Sequence, residues 1–354
     1  MQAQDGGFEM NANTKTAAGS THGNRMPALD FTKGALVLTM VLYHWINYFV
    51  GPNWPYYKYL RFLTPSFILL SGFLISNVYL SKYKVSDLRL TKRLFVRGAK
   101  LLAVFVVLNV ARSILLTRAF GSVTAYQMNG RTLAAVYISG NVFIGSVKAA
   151  AFYILVPISY LLLLSAVLVP VYRVYKYTFH LACAVLLFCI LILHLRGFQS
   201  PNLEFVTIGL LGVLVGFVPI EKINNAVGHA VLLTIAYVFY IIAIRAWNVP
   251  FPLLILGAVL SVGAIYLVGL RADRMRAIGR HVALLGKYSL FGYIAQIAIL
   301  QLLSAGLRRA DIDIAVLMAS FVAAVGLTLL TVEGVDRVKT RSMVVDRLYK
   351  TVFA

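Results

Sequence analysis

The sequence predicts an all-α, polytopic integral membrane protein with about ten transmembrane helices and both termini cytoplasmic. Three observations predict it. Of 354 residues 60% are hydrophobic and only 13% charged, and mean hydropathy is +0.82. A water-soluble chain of this length needs far more charge to cover its surface. Apolar runs of membrane-crossing length recur along the chain, and the basic residues between them fall unevenly on the two sides.

A helix crosses a hydrocarbon core in about 20 residues at roughly 1.5 Å each. The runs that approach this are 33–51, 60–80, 98–117, 149–171, 178–195, 202–219, 228–247, 250–270, 282–303 and 313–334. Pro250 and Pro252 open the eighth of them, in a first turn where no backbone donor is needed. One side collects Lys82, Lys84, Arg89, Lys92 and Arg93, then Arg173 and Lys176, then Arg271, Arg274, Arg276 and Arg280, and finally the C-terminal residues from Arg337 to Lys350. The positive-inside bias makes that side cytoplasmic. The formal net charge of +21 therefore reads as topology and attraction to anionic headgroups. Membrane lipids are the partners it implies, and nucleic acid is not.

The chain divides into a polar segment 1–26, read as a disordered cytoplasmic tail, a transmembrane domain 27–336 and a basic cytoplasmic tail 337–354. Between the third and fourth runs, "TLAAVYISGNVFIGS" is too broken for a span and too apolar for a free loop. An interfacial or re-entrant segment is the expectation. Cys183 and Cys189 share one apolar run and read as free thiols, and no metal-ligand spacing is seen.

Polar residues inside the runs mark candidate chemistry. His44, Asn47 and Tyr48 share one helical face. His44 lies about 21 Å along the helix from Asp30, well inside the bilayer. An ionisable group at that depth is costly and normally faces a polar cavity; the plain alternative is a hydrogen bond to a neighbouring helix. Arg89, Arg93, Arg97 and Lys100 form a basic stripe at the cytoplasmic mouth. Snorkelling explains part of it, but cations so close call for an anion among them: a polyphosphate, or lipid headgroups. Ser66, Ser71 and Gly72 permit close helix packing or a ligand's approach. Asn109 and Arg112 share a face, and Gln296 and Gln301 line a cavity or tie helices together.

These residues carry a resemblance. Arg25, Leu29, Asp30, Lys33, Gly34 and His44, followed by "SFILLSGFLIS" and then Arg97-Gly-Ala-Lys100, resemble the opening of the membrane-bound acyltransferase type 3 family. Lys33 and Lys100 stand where that family usually has arginine. "LLGKYSLFGYIAQ" is similar to a later family helix: Leu285, Gly286, Ser289 and Tyr293 fit, and Gln296 stands where a histidine is frequent. The resemblance covers most of residues 25–303.

It implies transfer of an acetyl or succinyl-like group from cytoplasmic acyl-CoA, the donor substrate, to a hydroxyl of a surface glycan or lipid-linked saccharide, at a bacterial inner (plasma) membrane and without a metal. His44 would be the general base or carry the acyl group as a covalent relay, and the sequence does not choose. Arg93, Arg97 and Lys100, with Lys33, would hold the CoA phosphates. Asp30, Asn47, Ser71 and Gln296 would support the site, Asp30 and Lys33 organising or anchoring the entrance. Rival functions are a transporter or flippase of a glycan or lipid-linked intermediate, an acceptor-binding subunit with degenerate catalytic residues, and an amine N-acetyltransferase. The oligomeric state, a homo-oligomer included, stays open.

Overall fold

The computed structural model describes residues 26–51, 55–80, 88–120, 130–144, 147–148, 150–247, 249–271, 276–307 and 313–353. The expected N-terminal tail up to 25, with the motif residue Arg25, lies outside them, as do Lys82, Lys84 and Arg274. Helix α1 (Pro27–Trp45) runs on into a π-helical turn (Ile46–Val50), and a 3₁₀ turn (Tyr57–Leu60) leads to α2 (Leu63–Leu74), which ends in a second π-helical stretch (Ile75–Leu80). Then come α3 (Leu88–Phe120), the short α4 (Gly130–Leu133) with a third π turn (Ala134–Ser139), and a two-residue hairpin pairing Phe143–Ile144 with Val147–Lys148. The rest is helical: α5 (Leu155–Tyr172), α6 (Thr178–Leu195), α7 (Pro201–Val215), α8 (Ile220–Gly228), α9 (Ala230–Trp247), α10 (Phe251–Gly269), α11 (Arg276–Lys287), α12 (Ser289–Gly306), α13 (Ile314–Arg341) and α14 (Met343–Phe353).

Among the described residues, 8 helices are long and apolar enough to cross a membrane, or 9 if α7 and α8, bent by 103° at their junction, count as one span. The chain is thus a helical integral membrane protein. Ten runs were expected, and the differences have physical causes. Helix α1 is not among the eight, because Lys33, His44 and Asn47 dilute its apolar character. The run at 202–219 ends early as α7, and Pro219 starts the perpendicular α8. The run at 149–171 becomes helical only at Leu155, and the run at 282–303 straddles a break at Tyr288 between α11 and α12.

Helix α1 packs against α2, α10, α11, α12 and α13, α2 packs on α7, and α3 lies along α5. Two of these contacts are backbone on backbone. Gly34 and Gly286 let α1 and α11 touch: a Cβ on Gly286 would strike the Asp30 carbonyl, and one on Gly34 the Val282 carbonyl. Gly72 meets the Gly209 carbonyl across α2 and α7 in the same way. Small residues do this in membranes, where close dispersion contact replaces the hydrophobic effect. Gly286→Leu therefore pries α11 off α1 and lowers stability by about 3 kcal/mol or more. Thermal unfolding in detergent measures it, and an unchanged midpoint refutes it.

Outward faces of α6, α9 and α13 are apolar and exposed, Phe188, Phe239 and Leu330 among them, as hydrocarbon contact requires. Inside, the Trp45 indole N–H donates to Ser320 Oγ of α13 at 2.8 Å, and its ring meets Phe321 edge-on at 5.3 Å.

The basic C-terminal segment is helical. It completes α13 and then folds back as α14, with Tyr349 edge-on to Tyr288 at 5.2 Å and Phe353 against Phe291 at 5.7 Å. Lys339 sits 4.5 Å above the Tyr349 ring and 3.6 Å from Asp346, which also accepts from Lys350 at 2.6 Å. Burial pushes the Tyr349 phenol up to about 12, while the hydrogen bond from Lys350 holds the Asp346 carboxyl below its ordinary range.

Candidate functional site

The site begins with a stretch that is not helical. Residues 150–154 run into the bundle as irregular chain, with Ala150, Ala151, Phe152 and Ile154 all buried and Phe152 at a φ of 57°. Irregular backbone at membrane depth survives only where other groups satisfy it. Asn109 of α3, fully buried, supplies that: its Nδ2 donates to the Ala151 carbonyl at 3.0 Å, and its Oδ1 accepts from the Ala151 N–H at 2.8 Å. Asn202 of α7 does similar work above it. Its Nδ2 reaches the Val136 and Tyr137 carbonyls at 3.0 Å, and its Oδ1 accepts from the Tyr153 hydroxyl at 2.7 Å. Gly140, at a φ of 85°, packs where a Cβ would strike that hydroxyl. The buried, non-helical chain 150–154 comes just after the stretch expected to be interfacial or re-entrant.

This segment walls a cavity of about 100 Å³ whose other side is the far end of α1. His44, Asn47 and Tyr48 all line it, with Tyr57, Tyr153 and Tyr293. Both ring nitrogens of His44 are shielded from solvent. Its ring lies edge-on to Tyr43 at 5.1 Å and 6.1 Å from Tyr293. Asn47 Nδ2 donates to the Tyr57 hydroxyl at 2.9 Å and to the Tyr43 carbonyl at 3.2 Å, and Tyr57 stacks on Tyr43 at 4.9 Å. Behind them the Gln301 amide donates to the Tyr48 hydroxyl at 2.9 Å. An imidazole among phenols, shielded from water, has the makings of a proton-transfer site that accepts a hydroxyl-bearing ligand.

A second cavity, of about 180 Å³, gathers three other sequence-predicted residues: Ser71, Arg97 and Lys100. The Arg97 guanidinium lies 5.5 Å over the Tyr79 ring, and Arg93, at the exposed rim, lies 5.8 Å from the same ring. Most of the remaining lining is aliphatic, closed by Phe353 of α14. A cationic mouth on an apolar body suits a ligand with an anionic head and a thin, mostly apolar arm.

Four predicted residues line neither cavity: Arg93, at the rim of the second, and Asp30, Lys33 and Gln296. Asp30 and Lys33 form an ion pair of 2.5 Å with each other, so Lys33 takes the anchoring place at the start of α1. Gln296 is fully buried in α12, and among the described residues neither of its amide atoms has a hydrogen-bond partner. His194 and His281 pair with Glu204 and Glu333 at 2.9 and 2.6 Å, tying helices together.

Sequence reasoning missed Tyr57, Tyr153 and Asn202 and gave Tyr293 no role beyond a motif match. Asn109, a fully amphoteric hydrogen-bonding group deep in an apolar helix, was the one visible signal for the backbone it clamps. Compared with family models, with curated protein sequences and with solved structures, the chain matches none.

Proposed function

We propose that this protein is a membrane-bound O-acyltransferase that moves an acyl group from acyl-CoA to a hydroxyl of a glycan or lipid-linked saccharide. The observation that carries this reading is the pair of adjoining cavities, one with Arg97 and Lys100 at a cationic mouth, the other built around His44. The sequence resemblance to acyltransferase type 3 proteins supports it. In the topology that goes with it, α1 and the bent α7–α8 pair both cross the bilayer. Both termini are then cytoplasmic, in a bacterial inner membrane.

The donor's phosphates sit among Arg97, Lys100 and Arg93, and its pantetheine arm fills the aliphatic cavity. A ring nitrogen of His44 takes the acceptor hydroxyl's proton as the oxygen attacks the thioester carbonyl. The carbon–sulfur bond breaks, and the CoA thiolate leaves with that proton as a free thiol. The electrophile stays dry because the cavity is walled by phenols and the buried 150–154 segment.

Labelled acetyl-CoA presented with a membrane glycan fraction tests the reading directly. Wild type transfers label to glycan, and Arg97→Ala raises the KM for acetyl-CoA about 10–100-fold, the worth of a charge-assisted contact, with kcat little altered. A second reading, a transporter or flippase, is favoured by the helix broken at α7–α8, since discontinuous helices build transport sites. Movement of the saccharide without label transfer or CoA binding would select it.

A further inference from the structure

The two cavities are neighbours through a thin wall. Among the described residues, only Ile154 and Tyr293 line both. Ile154 is 4% exposed and Tyr293 5%. One residue from α12 and one from the 150–154 segment therefore make up the wall.

The order along the bundle is set by α1. Gly292 of α12 packs against Val37 of α1, so Tyr293 sits beside that part of α1, and His44 lies about 10 Å farther along the helix. Arg97 and Lys100 open on the α14 side of Tyr293, and His44 lies on the other. The two halves of the wall differ in freedom. Ile154 belongs to backbone that Asn109 fixes through Ala151, whereas Tyr293 stands on a regular helix and moves by changing rotamer.

We infer that Tyr293 is the partition between donor and acceptor: its ring swings aside to bring the thioester carbonyl within reach of the His44 cavity and otherwise keeps water from the thioester. The inference rests on the acyl-transfer reading for what passes, but the wall itself can be tested without it. Tyr293 is a positioning residue in this role, because it makes the donor's carbonyl reachable from His44 without taking a proton itself. Water crossing an open wall would add to the thioester carbonyl, giving free carboxylic acid and CoA thiol in place of transfer.

The test has two arms. In sealed membrane vesicles of either orientation, His44→Cys in a Cys183→Ala, Cys189→Ala background is treated with a membrane-impermeant thiol reagent. From the α14 face the thiol is expected to be unreactive with Tyr293 in place. It becomes at least about tenfold more reactive after Tyr293→Ala, and also after Ile154→Ala, which thins the same wall while leaving the tyrosine intact. In the second arm, with His44 present, Tyr293→Ala releases more free CoA from acetyl-CoA than acetyl transferred, while Tyr293→Phe, which keeps the ring, holds the two closer to equal. Thiol labelling from the α14 face that is indifferent to both Tyr293→Ala and Ile154→Ala overturns the partition. Labelling that rises as expected while no variant, wild type included, turns over acetyl-CoA upholds the partition and overturns acyl transfer.

Discussion

Replacing His44 with alanine lowers acyl transfer about 10²–10⁴-fold, the usual worth of a positioned general base, and leaves acetyl-CoA affinity unaltered. The separation is expected because His44 and the cationic pair Arg97 and Lys100 line different cavities. A binding defect in His44→Ala would mean that the donor reaches across the wall at rest. The same variant separates the two chemistries that the sequence leaves open. Mixed with labelled acetyl-CoA and no acceptor, wild type retains label on the protein after denaturation if the imidazole carries the acyl group, and none if it passes only a proton. His44→Ala acting as fast as wild type refutes both.

Asn109→Ala is expected to be the most damaging substitution away from the chemistry. It leaves the N–H and the carbonyl of Ala151 unpaired at membrane depth, and each orphaned group costs on the order of 1–3 kcal/mol. Phe152 beside it already sits in an uncommon backbone region. The variant is therefore expected to unfold several degrees lower in detergent and to lose transfer with it, since the wall of the His44 cavity goes with the segment. Asn109→Asp keeps the acceptor and loses the donor, so it should fall between the two. If Asn109→Ala unfolds with wild-type cooperativity and midpoint, the clamp has no energetic meaning.

Much of the architecture is legible from hydropathy because each span is a local decision, about 20 apolar residues long. The expected runs at 60–80, 178–195, 228–247 and 250–270 correspond closely to apolar helices. What hydropathy does not record is backbone direction. The late start of α5 at Leu155 lies inside the apolar stretch Ala149–Pro157, so no change in composition marks it, whereas the bend after Val215 is signalled only by Pro219, Glu221 and Lys222. The candidate site divides in the same way. His44, Asn47, Arg97 and Lys100 announced themselves as polar groups in apolar surroundings, and the fold brings each to a cavity. Tyr57, Tyr153 and Tyr293 did not, because tyrosine is ordinary in a membrane protein and its role depends on partners far away in sequence. The Tyr153 partner Asn202 is 49 residues distant. Lys33, which the resemblance grouped with the phosphate-holding residues, pairs with Asp30 at the start of α1 and lines neither cavity.

The indole of Trp45 has a practical meaning of its own. Trp45 is the residue after His44, is 8% exposed and hydrogen-bonds Ser320, whereas Trp247 is 71% exposed on the bundle's outside. The chain has three tryptophans, so conservative replacement of the other two leaves a single fluorophore one peptide bond from the histidine. Its emission would follow occupancy of the cavity in real time and without any attached dye, turning a slow radiochemical assay into an optical titration.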